Sequence, residues 1–316
     1  MQDANAYSWY TRRAYQKHIP LQVKQDNVKQ TIDQFYDEET LRRLQLVELD
    51  ILKKFDRMCE KHGLEYFAAY GTVLGAVRHQ GFIPWDDDID VGMPRKDYER
   101  LAELVPLEFG EEYALLNGQI DPRYPFMTSR IMKKGTEFRM YSMKDLPCEL
   151  GIFLDIFCFD KIPDDASEQK KLARSCWIIE KMCILRNTPF PNLPYRGVKR
   201  ALTYAACGIG SIVMKVFPRE KLHEWMRSSA RRYEGSDTRF IGCPFGLQPF
   251  ESIYPVDMVY PLKRMKFEDM DIPMPNDPHA MLKQIYGDTY MTPPPEGRRS
   301  YIIPYKLSFG DEEVFQ

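Results

Sequence analysis

The stretch GTVLGAVRHQGFIPWDDDID, Gly71 to Asp90, bears on fold and site together. It crowds Asp86, Asp87, Asp88 and Asp90 between Trp85 and the strand-like Val91. Carboxylates at that spacing repel one another unless something positive sits among them. A hard divalent cation answers the need, because Mg²⁺ takes carboxylate oxygens and fills its other positions with water and phosphate. Residues two apart on a strand face the same way. Asp86, Asp88 and Asp90 are therefore expected on one side, with Ile89 and Val91 on the apolar other. A solvated acidic turn is the plainer reading of a short charge run, but the interleaved apolar residues weigh against it. An EF-hand loop is excluded: counting from Asp86, position six is Val91 rather than Gly and position twelve is Asp97 rather than Glu.

The residues before the acids suit an anion. Gly71, Thr72 and Gly75 surround Leu74 just after a short strand predicted over residues 65–70. Glycine lets backbone N–H groups approach a phosphate, and the helix predicted to begin here offers its positive end. Arg78 adds a planar donor fork suited to phosphate. For His79 three readings stay open: a base, a phosphate donor or a packed ring. Further on, GIFLDIFCFD (Gly151 to Asp160) reads as a buried strand with Asp155 in its middle. A lone carboxylate buried there costs on the order of several kcal/mol or is forced neutral. It wants a partner, either a cation shared with Asp88 and Asp90 or a nearby basic side chain. Asp160, at the strand's end, reads as structural.

The block from Gly71 through Leu101 closely resembles the LicD family of phosphotransferases, within the nucleotidyltransferase superfamily. GIFLDIF resembles that family's third-acid strand. LKQIYGDTYMTPPPEGRR, Leu282 to Arg299, resembles its closing motif. The matches span roughly residues 40–305. In one respect the chain departs: family members often carry histidines after the closing motif, where this chain has Arg298, Arg299 and Tyr301. The resemblance implies an α+β fold, a mixed sheet flanked by helices with the acids at strand ends. It implies Mg²⁺ (or Mn²⁺) held by the catalytic residues Asp88, Asp90 and Asp155, with Asp86 as a further ligand. Asp155 could double as the base. Substrates are expected against Gly71, Thr72, Gly75, Arg78, His79, Trp85 and Arg130. The implied reaction moves a phospho-alcohol, such as phosphocholine, from a CDP-linked donor to a hydroxyl on a cell-surface glycan or lipid-linked saccharide. Two other readings remain: nucleotidyl transfer with pyrophosphate release, and a catalytically silent glycan-binding subunit on a borrowed fold.

Composition agrees without selecting. A chain of 316 residues supports a sizeable core. A net charge of −2 argues against a general nucleic-acid binder, which needs a broad basic surface. Aromatic residues make up 13% of the chain, and Trp85 and Tyr70 are candidates for a quaternary-ammonium cage. The 7 cysteines form no CxxC pair and suit reduced thiols. The first residues hold no apolar core of a signal peptide, so a cytoplasmic location is expected.

Along the chain we expect an N-terminal arm (1–38), a catalytic core (39–163), a helical insert (164–245) and a C-terminal segment completing the catalytic domain (246–316). Leu41, Leu44, Leu49, Leu52, Phe55 and Cys59 predict a helix from Glu39 that Gly63 ends. A second helix is expected over residues 94–105. Residues 110–140 read as irregular strands whose Arg130, Lys133, Lys134 and Arg139 could meet phosphates, though solvated charge is the plainer reading of any one. Helices are also expected over residues 165–186 and 218–233. Between them, residues 201–217 are apolar but too short for a confident span. Arg196, Lys199, Arg200, Lys215, Arg219 and Lys221 flank them. Two readings stay open here: peripheral contact with the inner membrane surface, or a helix buried in the insert.

Overall fold

Asp37 starts the first helix, its carboxylate accepting the Thr40 N–H at 2.7 Å. Gly63 ends it at φ 61°, a left-handed conformation glycine adopts without strain. Glu38 and Glu39 in the first turn and Lys61 and His62 in the last complement the helix dipole. This is α1 (Glu38–His62), and it buries Leu44, Leu49, Leu52, Phe55 and Cys59 as the spacing predicts. Gln45, Glu48 and Asp56 lie on the same buried face. The structure is a computed structural model that describes residues 37–140, 143–188, 197–245, 252–295, 304–310 and 313–315. The expected arm before Asp37 lies outside the described residues, as do Arg196, Arg298, Arg299 and Tyr301.

After α1 come β1 (Phe67–Ala68), α2 (Tyr70–His79), β2 (Asp90–Pro94), α3 (Leu101–Phe109), β3 (Tyr113–Leu116), β4 (Ser129–Lys133), β5 (Glu137–Met140) and β6 (Phe153–Ile162). Three helices follow, α4 (Ala166–Asn187), α5 (Gly197–Met214) and α6 (Arg219–Ala230). The remainder is β7 (Phe240–Gly242), β8 (Ile253–Pro255), the β9–β10 pair (Lys263–Phe267 and Met270–Met274), α7 (Pro278–Tyr286), β11 (Pro304–Ser308) and β12 (Glu313–Phe315). The main sheet runs β1-β2-β6-β4-β3, with β7 on the far end of β6 and β8 beside it. β2 and β6 are parallel and the other pairs antiparallel. The fold is thus α+β, a mixed sheet flanked by helices. β6 is its central strand, buried along nearly its whole length, which is why its sequence is a continuous apolar run. β7, inside the stretch expected to be insert, belongs to this sheet. β11 returns to pair with β5.

The helix expected over residues 94–105 is corrected. Pro94 ends β2, a single turn covers Arg95–Tyr98, and α3 begins only at Leu101. That turn buries Arg95 against Asp160, with Nε and Nη2 donating to its two oxygens at 2.8 and 2.7 Å. Asp160 is therefore structural, as read. Arg139 is structural too, donating to the carbonyls of Met143, Leu146 and Cys148. All the cysteines are free.

Helix α5 is not the buried helix of the second reading. Only Ser211 of it is buried, whereas Val198, Leu202, Ile209, Ile212 and Val213 are exposed. Among the described residues no single helix is long and apolar enough to cross a membrane.

Candidate active site

Sheet register assembles the site. Asp155 on β6 lies opposite Asp90 on β2 and opposite Arg130 on β4, so the three form a row across neighbouring strands. The backbone around Asp90 is pinned on three sides. Its N–H donates to the Thr72 hydroxyl at 2.8 Å, its carbonyl accepts the Ala69 N–H at 3.0 Å, and the Ile89 carbonyl accepts the Asp155 N–H at 3.0 Å. The strand expected over residues 86–90 starts only at Asp90, because β1 and β6 offer no pairing before it. The alternation nevertheless survives in the extended lead-in. Asp86, Asp88 and Asp90 are half-buried on one side, while Asp87, Ile89 and Val91 are buried.

Asp155 has a cation beside it: Arg130. The guanidinium donates from Nε and Nη2 to the two carboxylate oxygens at 2.8 and 3.0 Å. It also lies 3.7 Å from the Phe153 ring centre. The basic-partner reading of Asp155 is thus realised, and each oxygen keeps a further lone pair for another partner. Burial works against the Arg130 cation, but Asp155 more than compensates and its pKa is raised. The other acids are not so compensated. Burial, with Asp155 adding to it, pushes the Asp88 carboxyl up to about 6. Burial and the neighbouring Asp88, Asp155 and Asp86 raise Asp90 well above the usual range. Burial and Asp88 do the same to Asp86.

Helix α2 closes one wall. Ala69 gives its N-terminus no side-chain cap, and the Asp86 carboxylate sits against its first turn. A Cβ on Gly71 would lie 2.9 Å from Asp86 Oδ2. Gly75 has a packing role as well, since a Cβ there would meet the Gly81 carbonyl at 2.5 Å. Arg78 donates from Nε to His79 Nε2 at 2.9 Å and from Nη1 to the Tyr290 carbonyl at 2.8 Å, and its guanidinium lies 5.8 Å from the Trp85 ring centre. Burial and Arg78 lower the His79 pKa, which keeps a lone pair on the accepting nitrogen. Tyr290 belongs to the closing motif, so that motif reaches the site by holding Arg78. Tyr70 packs edge-on against Phe157 and donates to Ser252, and no described contact joins it to Trp85.

Sequence reasoning missed the contribution of α1. Gln45 Nε2 donates to the Asp86 carbonyl at 2.9 Å. One turn on, Glu48 is fully buried and faces the same acids. The signal was there: both are polar residues in phase with the buried stripe of the helix. Asp87, outside the expected ligand set, also lies with the acids. Asp86, Asp87 and Asp88 each offer a carboxylate oxygen within 4.8 Å of the others, and Asp90 and Asp155 do not join that tight group as arranged. A separate cleft of about 1110 Å³, lined by Glu65, Arg239, Phe240, Asp257 and Tyr260 among others, contains none of these acids.

Residues 63–182 match the model of the LicD/FKTN/FKRP nucleotidyltransferase domain. The chain carries a LicD-family domain. It runs from just before β1 into α4 and holds Asp86, Asp88, Asp90, Arg130 and Asp155, while Gln45 and Glu48 lie upstream. Over 269 residues the chain is 28% identical to the lipopolysaccharide cholinephosphotransferase LicD of Haemophilus influenzae, covering 84% of this chain and 96% of that one. It is 39% identical to the human ribitol 5-phosphate transferase FKRP over 51 residues, 16% of this chain and 10% of the relative. An uncharacterized Rickettsia prowazekii protein is 41% identical over 56 residues, 18% of this chain and 21% of its own length. Domain and relatives together support a phosphotransferase enzyme.

Proposed function

We propose that this chain transfers a phospho-alcohol, phosphocholine or a similar group, from a CDP-linked donor to a hydroxyl of a cell-surface glycan or lipid-linked saccharide. The observation that carries the reading is the set of mutually repelling, half-buried carboxylates Asp86, Asp88 and Asp90 at the uncapped start of α2, on a LicD-family domain. The Haemophilus relative's name supplies phosphocholine as the group and lipopolysaccharide as the acceptor. FKRP's name supplies ribitol phosphate.

The residues fit a divalent cation such as Mg²⁺ or Mn²⁺. Three carboxylates already converge, and a fourth, Glu48, has two buried oxygens with no hydrogen-bond partner. Asp86 and Asp88 of that converging group would hold it, with Asp90 and Asp155 as further ligands. When bound, such an ion offsets charge on phosphoryl oxygens and on the departing CMP. The chain's own groups do the remainder. The α2 N-terminus and Arg78 face the donor's phosphates. Arg130 locks the orientation of Asp155, and Thr72 and Ala69 fix the backbone of Asp90. As the acceptor oxygen bonds to the alcohol-bearing phosphorus, the pyrophosphate P–O bond breaks toward CMP and the hydroxyl proton passes to a carboxylate. Asp155 already accepts Arg130 on both oxygens, so a positioning role suits it better than the base.

The test is incubation with Mg²⁺ and a panel of CDP-linked alcohols, followed by ³¹P NMR. CMP released from one donor is the expected result. Pyrophosphate release from a nucleoside triphosphate would replace this reading with nucleotidyl transfer, and silence across the panel would favour a non-catalytic subunit.

Peripheral contact with an anionic membrane surface belongs to the same reading, because a lipid-linked acceptor is reached there. The exposed Val198, Leu202, Ile209, Ile212, Val213 and Val216 recur at helical spacing on one face, and Lys199, Arg200 and Lys215 flank it. The protein is expected to float with vesicles rich in anionic lipid, and Ile212→Glu/Val213→Glu to lose flotation. Equal flotation of both would remove the idea. A wild type that stays off vesicles but dimerises through this face would assign it to a second copy.

A further inference from the structure

Glu48 is held differently from Asp56, Asp97, Asp155 and Asp160; Glu180 also has one oxygen without a hydrogen bond, but Lys181 Nζ lies 3.5 Å from it. Asp56, on the same helix, accepts from Tyr66 Oη and Arg264 at 2.7 Å each. Asp97 accepts the Glu65 N–H, Asp160 is held by Arg95, and Asp155 by Arg130. Glu48 is 0% exposed, and neither of its oxygens has a hydrogen-bond partner. The charges that act on it are those of Asp88, Asp87, Asp86 and Asp90. Native structures rarely leave a buried polar atom unpaired, and an exception points to a function or to a missing partner. Here the missing partner must be positive or a donor, and it must fit a space bordered by carboxylates.

Resting on the cation reading above, we propose that Glu48 is a further cation ligand, supplied by α1 from outside the LicD-family domain match. Gln45 sets its position. By donating to the Asp86 carbonyl, it clamps this face of α1 against the acidic segment. Asp86, Asp88 and Asp90 are half-exposed, so an ion enters from their side and meets Glu48 at the buried end. A purely packed glutamate would give no reason for a carboxylate where a methionine or leucine would fill the same volume without repulsion.

Glu48→Gln keeps the size and removes the charge. With Mn²⁺ alone as probe, read by the loss of its free electron paramagnetic resonance signal, wild type should bind saturably. Glu48→Gln should bind ~10–100-fold more weakly, the range seen when groups supporting a metal are altered. The rise in melting temperature produced by Mn²⁺ should shrink, while the metal-free melting temperature should not fall. Glu48→Asp, which keeps the charge but withdraws it, should fall between the two and serves if Glu48→Gln fails to fold. Binding by the folded variants within twofold of wild type would overturn the assignment, as would a fall in metal-free stability with Mn²⁺ affinity unchanged. If wild type itself takes up no Mn²⁺, the cation reading of the whole site falls and Glu48 with it.

Discussion

Replacing Asp88 and Asp90 together by asparagine should lower CMP release by on the order of a thousandfold, about 4 kcal/mol of barrier, and should make the metal-free protein more stable at neutral pH. The loss of turnover follows from removing two of the carboxylates that orient the site. The gain in stability follows from electrostatics. Asp88 is pushed up to about 6, above its ordinary value near 3.8, so between those values the folded chain binds a proton that the unfolded chain has released. Stability then falls as pH rises through that window. Asparagine carries no such proton. In EDTA, the melting temperatures of variant and wild type should lie close near pH 4 and separate in the variant's favour above about pH 6. An active double variant would remove the site assignment. A stability difference independent of pH would remove the electrostatic account.

Arg130→Met should destabilise the fold by about 3–5 kcal/mol, because it leaves Asp155 charged, buried and without its cation. Arg130 and Asp155 side chains are only 3% and 10% exposed, so water replaces little of the lost interaction. Arg130→Met/Asp155→Leu should recover much of the loss, since an apolar pair of similar volume avoids desolvation, yet it should stay inactive. Arg130→Lys should lie between, because a single ammonium cannot reproduce two parallel hydrogen bonds. Urea unfolding midpoints of the four proteins give the answer. A cost below about 1 kcal/mol for Arg130→Met would place that pair among weakly contributing surface bridges.

Both expectations rest on residues whose legibility in the sequence differed. The acidic segment was plain, because its members are neighbours in the chain and the alternation needs only local backbone geometry. Alternation alone predicts strand for the lead-in as well, but a strand also needs a neighbour to pair with, and pairing begins only at Asp90. Asp155 was legible as a buried charge in want of a partner. Which partner sits there was not, because Arg130 lies 25 positions away and meets it through sheet register. Lys133, Lys134 and Arg139 carry the same charge in the same stretch, and nothing local distinguishes them.

By itself the sequence determined what short-range rules decide. These are the span of α1 and its end at Gly63, the helix that begins before the acids, the side to which each acid points, and the apolar run of β6. Tertiary structure decided what meets across distance. Register set Asp90, Asp155 and Arg130 in one row, α1 brought Gln45 and Glu48 against Asp86, and the closing motif brought the Tyr290 carbonyl to Arg78. The physical reason is that backbone preferences and caps act over a few residues. A hydrogen bond between strands or a helix face exists only once burial of the whole core has fixed which surfaces touch.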